Sequence, residues 1–216
     1  MFAAIISSMK LFLSSISIAT KNQQEFIYLV GKAHQNIRVA LIENGADTYP
    51  DEHKEWVGRA KAMIQATVGE IVSFDLRTYV NETDLERDLS EFDVVWVGGG
   101  NVYYLRWLSR ESGFDQIIGR LLKQGVVYGG DSAGAIVAGP TIDYFQSADH
   151  PEQSPELVLE GLRLVDEVVI PHYDHYKYAP IMKKIQEMLV NTDYKTVTLT
   201  DEQAFIIDGD DRRVIG

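Results

Sequence analysis

The chain contains no cysteine. That excludes disulfides, a thiolate nucleophile and cysteine-ligated zinc or iron–sulfur sites. It leaves serine as the natural nucleophile for any covalent chemistry. No block of lysine and arginine stands out, and 20 basic residues face 32 acidic ones, for a formal net charge of −12. Such a balance argues against a nucleic-acid partner and against an anionic membrane surface, because nothing concentrates charge to neutralise phosphates. No apolar run reaches the ~20 residues a membrane span needs. Residues 1–8 are apolar and precede a second methionine, Met9. No basic region comes before them and Lys10 follows, the reverse of signal-peptide order. They read as an N-terminal extension upstream of the real start, and the cytoplasm is the expected location. No internal repeat is visible, and the Walker lysine and the G-x-G-x-x-G spacing are both missing.

What is present is an ordinary globular composition, 45% hydrophobic and 24% charged over 216 residues. That is enough chain for one domain, residues 1–216, with a sizeable core. Strands are expected over 10–15, 38–43, 71–76, 93–97, 126–128, 167–172, 196–199, 204–208 and 213–216, the last closing a terminal hairpin. Helices are expected over 21–34, 51–67, 83–89 (Thr83 as cap, Glu86 in capping-box position), 102–109, 115–123 and 178–190. Continuous apolar strands alternating with helices predict an α/β fold, a doubly wound and mostly parallel sheet with helices on both faces. Residues 140–162 show little periodicity and read as a long loop, of a length that is usually functional.

The most informative stretch is residues 126–138. An apolar strand ends at Gly129-Gly130, then come Asp131, Ser132, Ala133 and Gly134, and then small apolar residues that start a helix. This is G-x-S-x-G between a strand and a helix, the context that motif requires. A nucleophile at the top of a sheet needs a sharp turn, and small neighbours let the chain double back. The plainer alternative is a helix start with Ser132 as its N-cap.

Gly98-Gly99-Gly100-Asn101 ends another apolar strand. Glycines there let backbone N–H groups approach a ligand, and in open α/β sheets ligands bind at that edge. A donor from this loop, with the N–H of Ala133, would make an oxyanion hole; Gly100 and Asn101 are its substrate-binding candidates. A structural turn and a phosphate loop are the competing readings. A serine nucleophile needs a base, and His172 has the best address of the five histidines, just past an apolar strand and Pro171. His172 and His175 with Asp174 make only a weak metal site. The base needs an orienting acid. Asp201-Glu202-Gln203 is the favoured source, with Asp143, Asp149 and Asp166 as competitors.

Gly98–Asn101, Gly130-Asp131-Ser132-Ala133-Gly134-Ala135 and Pro171-His172-Tyr173 together resemble peptidase E and its relatives, the aspartyl dipeptidases and cyanophycinase-type serine peptidases. The resemblance runs from about Met9 to Asp208. It implies a fold like that of class I glutamine amidotransferase domains, with serine replacing cysteine. It implies Ser132 as nucleophile, His172 as base, and N–H groups near Gly99 and of Ala133 as the oxyanion hole. The family's acid is a glutamate, which selects Glu202, or Asp201 if the alignment is moved at Ala204. The arginine by which aspartyl dipeptidases read an N-terminal aspartate has no counterpart in residues 179–186. The expectation is thus a serine peptidase, an exopeptidase or dipeptidase, acting on short peptides with no cofactor and no metal. A homodimer is left open. An esterase, an isopeptide hydrolase and a non-catalytic ligand-binding relative are the alternatives.

Overall fold

The computed structural model describes residues 9–216, so residues 1–8, which the sequence reads as an extension, lie outside the described residues. In chain order the strands are β1 (Lys10–Ser14), β2 (Arg38–Ile42), β3 (Glu70–Phe74), β4 (Val94–Val97), β5 (Val127–Asp131), β6 (Glu167–Ile170), β7 (Lys195–Thr198), β8 (Ala204–Asp208) and β9 (Asp211–Ile215). The helices are α1 (Gln23–Val30), α2 (Glu55–Gln65), α3 (Glu82–Leu89), α4 (Val102–Glu111), α5 (Phe114–Lys123), α6 (Ala133–Val137) and α7 (Ala179–Leu189). Seven strands form one sheet in the order β3-β2-β4-β5-β1-β8-β9. The first five run parallel, and β8 and β9 add an antiparallel hairpin. β6 and β7 pair in parallel as a separate two-stranded sheet.

Side chains alternate across a strand, so a strand buried on both faces feeds two cores. Leu11, Leu13, Val95 and Val97 face the layer that holds α3 to α7. Phe12, Val94 and Trp96 face Phe26 and Leu29 of α1 and Ile64 of α2. The strands expected from continuous apolar runs are therefore the ones sandwiched between helical layers, and the doubly wound reading holds.

The differences are local. The helix expected over 51–67 is a 3₁₀ turn, Asp51–His53, followed by α2. Helix α3 is capped by Asn81, whose side chain accepts the Asp84 N–H at 2.9 Å, and not by Thr83. The 140–162 segment carries 3₁₀ turns at Asp143–Ser147 and Pro151–Gln153 and a bridge between Thr141 and Glu160. Phe145 is buried beneath it. This long connection is pinned to the body rather than loose.

Candidate active site

Three chain segments converge at the C-terminal edge of the parallel strands. Register places Ser14 of β1 beside Asp131 of β5, and the Ser132 N–H donates to the Ser14 carbonyl at 3.1 Å. β6 and β7 end together, Ile170 opposite Thr198. The Leu199 N–H then donates to the Ile170 carbonyl and the Tyr173 N–H to the Leu199 carbonyl, both at 2.9 Å. Those bonds hold the His172 loop against the turn that carries Asp201. The Ser15 N–H donates to the Gln203 carbonyl at 3.3 Å and closes the third side.

Ser132 sits between β5 and α6 with φ 49° and ψ −112°, a strained conformation for a residue with a side chain. It stands at the N-cap position but its hydroxyl makes no cap bond. Instead Oγ lies 2.9 Å from His172 Nε2. Gly134 explains how the turn fits: a Cβ there would stand 1.9 Å from the Val97 carbonyl oxygen. His172 is also at positive φ, 58°, so the two facing residues both sit in backbone that most side chains avoid.

The acid facing the histidine is Asp201, with Oδ1 2.8 Å from His172 Nδ1. Burial pushes this carboxyl up, but the bond to His172, its positive field and the Ser15 hydroxyl outweigh burial and hold it below the usual range. Its own N–H donates to Asp174 Oδ1 at 2.8 Å. Glu202, the acid selected by family resemblance, points away. Its side chain is 73% exposed and pairs with Lys21 at 2.6 Å. The reason is the tight turn from Thr200 to Gln203, closed by the Gln203 N–H on the Thr200 carbonyl at 3.0 Å. Neighbouring side chains in such a turn leave in different directions, and the β6–β7 register gives the inward one to Asp201. Asp143 and Asp166 make no bond to His172; Asp143 holds Gln146, and Asp166 lies near Arg212.

Two residues of this site have no role assigned by the sequence motifs. Ser15, fully buried just past β1, accepts the His172 N–H at 2.7 Å, donates to Asp201 Oδ1 at 3.0 Å and lies 3.2 Å from His172 Nδ1. Its one sequence signal was its position at the end of an apolar strand. Asp131 is buried beside Ser132, and its Oδ1 accepts the Trp96 indole N–H at 2.6 Å. Burial pushes its carboxyl up to about 6, against the pull of Trp96, His172 and the Gly99 N–H.

That last bond changes the reading of the glycine loop. The Gly99 backbone helps hold the Asp131 carboxyl down, so Gly99 faces the buried carboxylate as well as the serine turn. Gly100, at φ 127°, lines the cleft together with Ser132 and Ala133. The Ala133 N–H, at the first position of α6, has no acceptor within that helix. Asn101 is fully buried and occupied elsewhere. Its Oδ1 caps α4 through Tyr103 and Tyr104, and its amide donates to the His150 carbonyl at 2.9 Å and to Gln153 at 3.0 Å. It is a structural clamp on the 140–162 segment, not a substrate contact.

The cleft over Ser132 and His172 has a volume of about 430 Å³. Tyr49, Trp56 and Phe145 line it, with Asp149 as a second carboxylate beside Asp131 and the exposed Arg59 and Lys177. Among the described residues no group of three or more histidines and carboxylates is placed to hold a metal ion, and no helix is long and apolar enough to cross a membrane.

A mostly parallel, doubly wound sheet with serine on a strained strand-to-helix turn beside a histidine defines a glutamine amidotransferase-like α/β protein of the serine-hydrolase kind. Residues 11–215 match the model of peptidase family S51, and the chain belongs to that family. It is a peptidase of the peptidase E-like serine type. An uncharacterized peptidase of Pasteurella multocida is 28% identical over 183 residues, covering 84% of this chain and 86% of the relative. Peptidase E of Citrobacter koseri is 35% identical over 107 residues, 47% of this chain and 45% of that one, so the match spans about half of the relative. A crystal structure of a candidate peptidase E protein from Listeria monocytogenes superposes with a TM-score of 0.81 at 24% identity, over 96% of this chain and 98% of the other. That likeness establishes the shared fold.

Proposed function

We propose that the enzyme is a serine exopeptidase that hydrolyses short peptides through Ser132, His172 and Asp201. The observation that carries this is one continuous relay: Ser132 Oγ 2.9 Å from His172 Nε2, and His172 Nδ1 2.8 Å from Asp201. His172 takes the serine proton as Oγ attacks the scissile carbonyl. Asp201 holds the imidazole in the tautomer that leaves Nε2 free to accept and then stabilises the imidazolium. The oxyanion is assigned to the N–H of Ala133 and an N–H of the Gly98–Gly100 loop, where negative charge develops. His172 gives the proton to the leaving amine, and water repeats the sequence on the acyl-enzyme.

A short substrate follows from the walls. The cleft is lined by Phe145 and Ala148 of the 140–162 segment and by His175 and Tyr178. Its volume is that of a small-molecule site rather than an extended peptide groove. The test is Ser132→Ala. Loss of about 10⁴-fold or more in kcat on any accepted peptide, with an unchanged melting temperature, is expected. An alkyl fluorophosphonate should label the wild type and not the variant. Retained turnover in Ser132→Ala sinks the reading.

A further inference from the structure

Ser132 and its partners make up a polar part of the cleft, and beside it lies an apolar one. Val102, Ala133, Ile136, Phe145 and Met182 all line the cleft, and each is 5% exposed or less. The five belong to one hydrophobic cluster, the core on the α3 to α7 side of the sheet. They come from elements that pack on one another, α4 against α6 and α7 against the Asp143–Ser147 turn. The cleft therefore opens directly onto packed core, and these side chains form a fixed floor. Apolar surface left open in a cleft is stabilised when another apolar group covers it.

We propose that this floor receives the side chain of the residue whose carbonyl Ser132 attacks, and that the enzyme selects an uncharged aliphatic side chain there, of the leucine and methionine class. The proposal deepens the serine-exopeptidase reading and rests on it. The floor is tied to the oxyanion donors. Ile136 is one turn along α6 from Ala133 and shares its face. Val102 follows the Gly98–Gly100 loop by two positions. The side chain beside the attacked carbonyl lies next to those donors, whereas the leaving amine must lie towards His172. The charges favour an apolar group as well. Among the described residues, the lysines and arginines that line the cleft are Arg59 and Lys177, both exposed. The Lys177 Nζ lies 5.0 Å over the Tyr178 ring, and the His175 ring packs against Tyr176 and Tyr178 at 4.7 and 4.9 Å. Lys183 and Lys184 follow Met182 on α7, but they are exposed and do not line the cleft. The carboxylates that do line it, Asp131 and Asp149, carry the sign of an acidic side chain. An aspartyl side chain on the floor would lose its water and gain no cation.

The test measures kcat/KM of the wild type on leucyl-, methionyl-, alanyl-, aspartyl- and lysyl-glycine, which differ only in the side chain offered to the floor. The leucyl and methionyl substrates should exceed the alanyl one by about tenfold or more, the worth of added methylenes in an apolar pocket. They should exceed the aspartyl one by about 100-fold or more, because a desolvated charge is left unpaired. Met182→Gln keeps the chain length and places an amide in the floor, and Ile136→Ala removes part of the floor on α6. Each should lower the leucyl-to-alanyl ratio by about threefold or more, and where one variant does not fold the other decides. Equal rates on the leucyl and alanyl substrates overturn the floor as a subsite. So does a wild-type preference for the aspartyl or the lysyl substrate, because a charged group then reads the side chain. A folded Met182→Gln or Ile136→Ala protein that keeps the wild-type ratio overturns it too. An alkyl fluorophosphonate separates the two readings. If it labels Ser132 while none of the five dipeptides is cleaved, the subsite is overturned and the serine chemistry stands. If it fails to label the wild type, the serine reading fails first and the subsite falls with it.

Discussion

The nucleophile turn and the acid turn are built on opposite principles. Residues 129–136 are shaped by contacts close in sequence: a strand that ends, glycines that allow crowding, a serine, a helix. Its shape is set by its own neighbours and by the strands β4 and β1 that flank it, as in the approach of Gly134 to the Val97 carbonyl and the Ser132 N–H bond to Ser14. Residues 200–203 have no such signature. Which of their carboxylates faces His172 depends on the register of β6 with β7, on the Tyr173–Leu199 bond and on Ser15, 186 positions away from Asp201. A local device is written in consecutive residues, whereas a device assembled across the chain is written only in the fold.

The largest way to break this contrast is to test the two adjacent acids. On the proposed mechanism Asp201→Asn presents His172 with the wrong hydrogen-bonding partner, and kcat should fall by about 10³- to 10⁴-fold. Glu202→Gln removes an exposed pair with Lys21, so activity should stay within about twofold and stability within about 0.5 kcal/mol. Steady-state kinetics on one accepted peptide decides between them. The reverse pattern would return the acid to Glu202 and mean that the turn is rearranged when substrate binds.

The same contrast explains what was legible beforehand. The parallel strands were readable because burial on both faces demands unbroken apolar runs such as Val94–Val97. Ser132 was readable because a strained elbow needs small residues around it. His172 was readable by its place after an apolar strand. The family resemblance selects Glu202, whereas the choice between adjacent acids in a tight turn is set by side-chain direction, which has no period to read. Asn101 shows a related ambiguity: a glycine-asparagine loop looks the same in sequence whether its groups face a ligand or, as for the Asn101 amide, a neighbouring segment. Ser15 was missed because a serine after a strand is common, and only the third dimension shows it against His172.

Ser15 therefore sharpens the comparison at intermediate strength. It positions His172 and Asp201 together through one hydroxyl. Ser15→Ala leaves the buried His172 N–H without its acceptor, a cost of about 1–3 kcal/mol in stability. Asp201 also loses a donor that holds its carboxyl down. The expected result is a fall in kcat of about tenfold, KM little changed, and a shifted acidic limb of the kcat/KM profile. A purely structural hydroxyl would lower the melting temperature and leave the pH profile where it was.

The smallest expected effect separates the two carboxylates by sign. Asp131 belongs to the local turn, and burial raises it to about 6 in the folded protein against roughly 3.9 in an unfolded chain. The folded state therefore binds its proton more tightly. Its ionisation costs stability above a pH of about 6, and that cost is relieved as pH falls through 6 towards 4. Asp201 belongs to the assembled turn and is held below its ordinary value, so its contribution is present above a pH of about 4 and is lost on further acidification. Melting temperatures of the wild type and of Asp131→Asn, taken from about pH 8 to pH 4.5, isolate the first group. The wild type should gain on the variant as pH falls, by an amount on the order of 1–3 kcal/mol. A flat Asp131 difference would mean that its carboxyl is ionised throughout, with the Trp96 and Gly99 donors offsetting its burial in full.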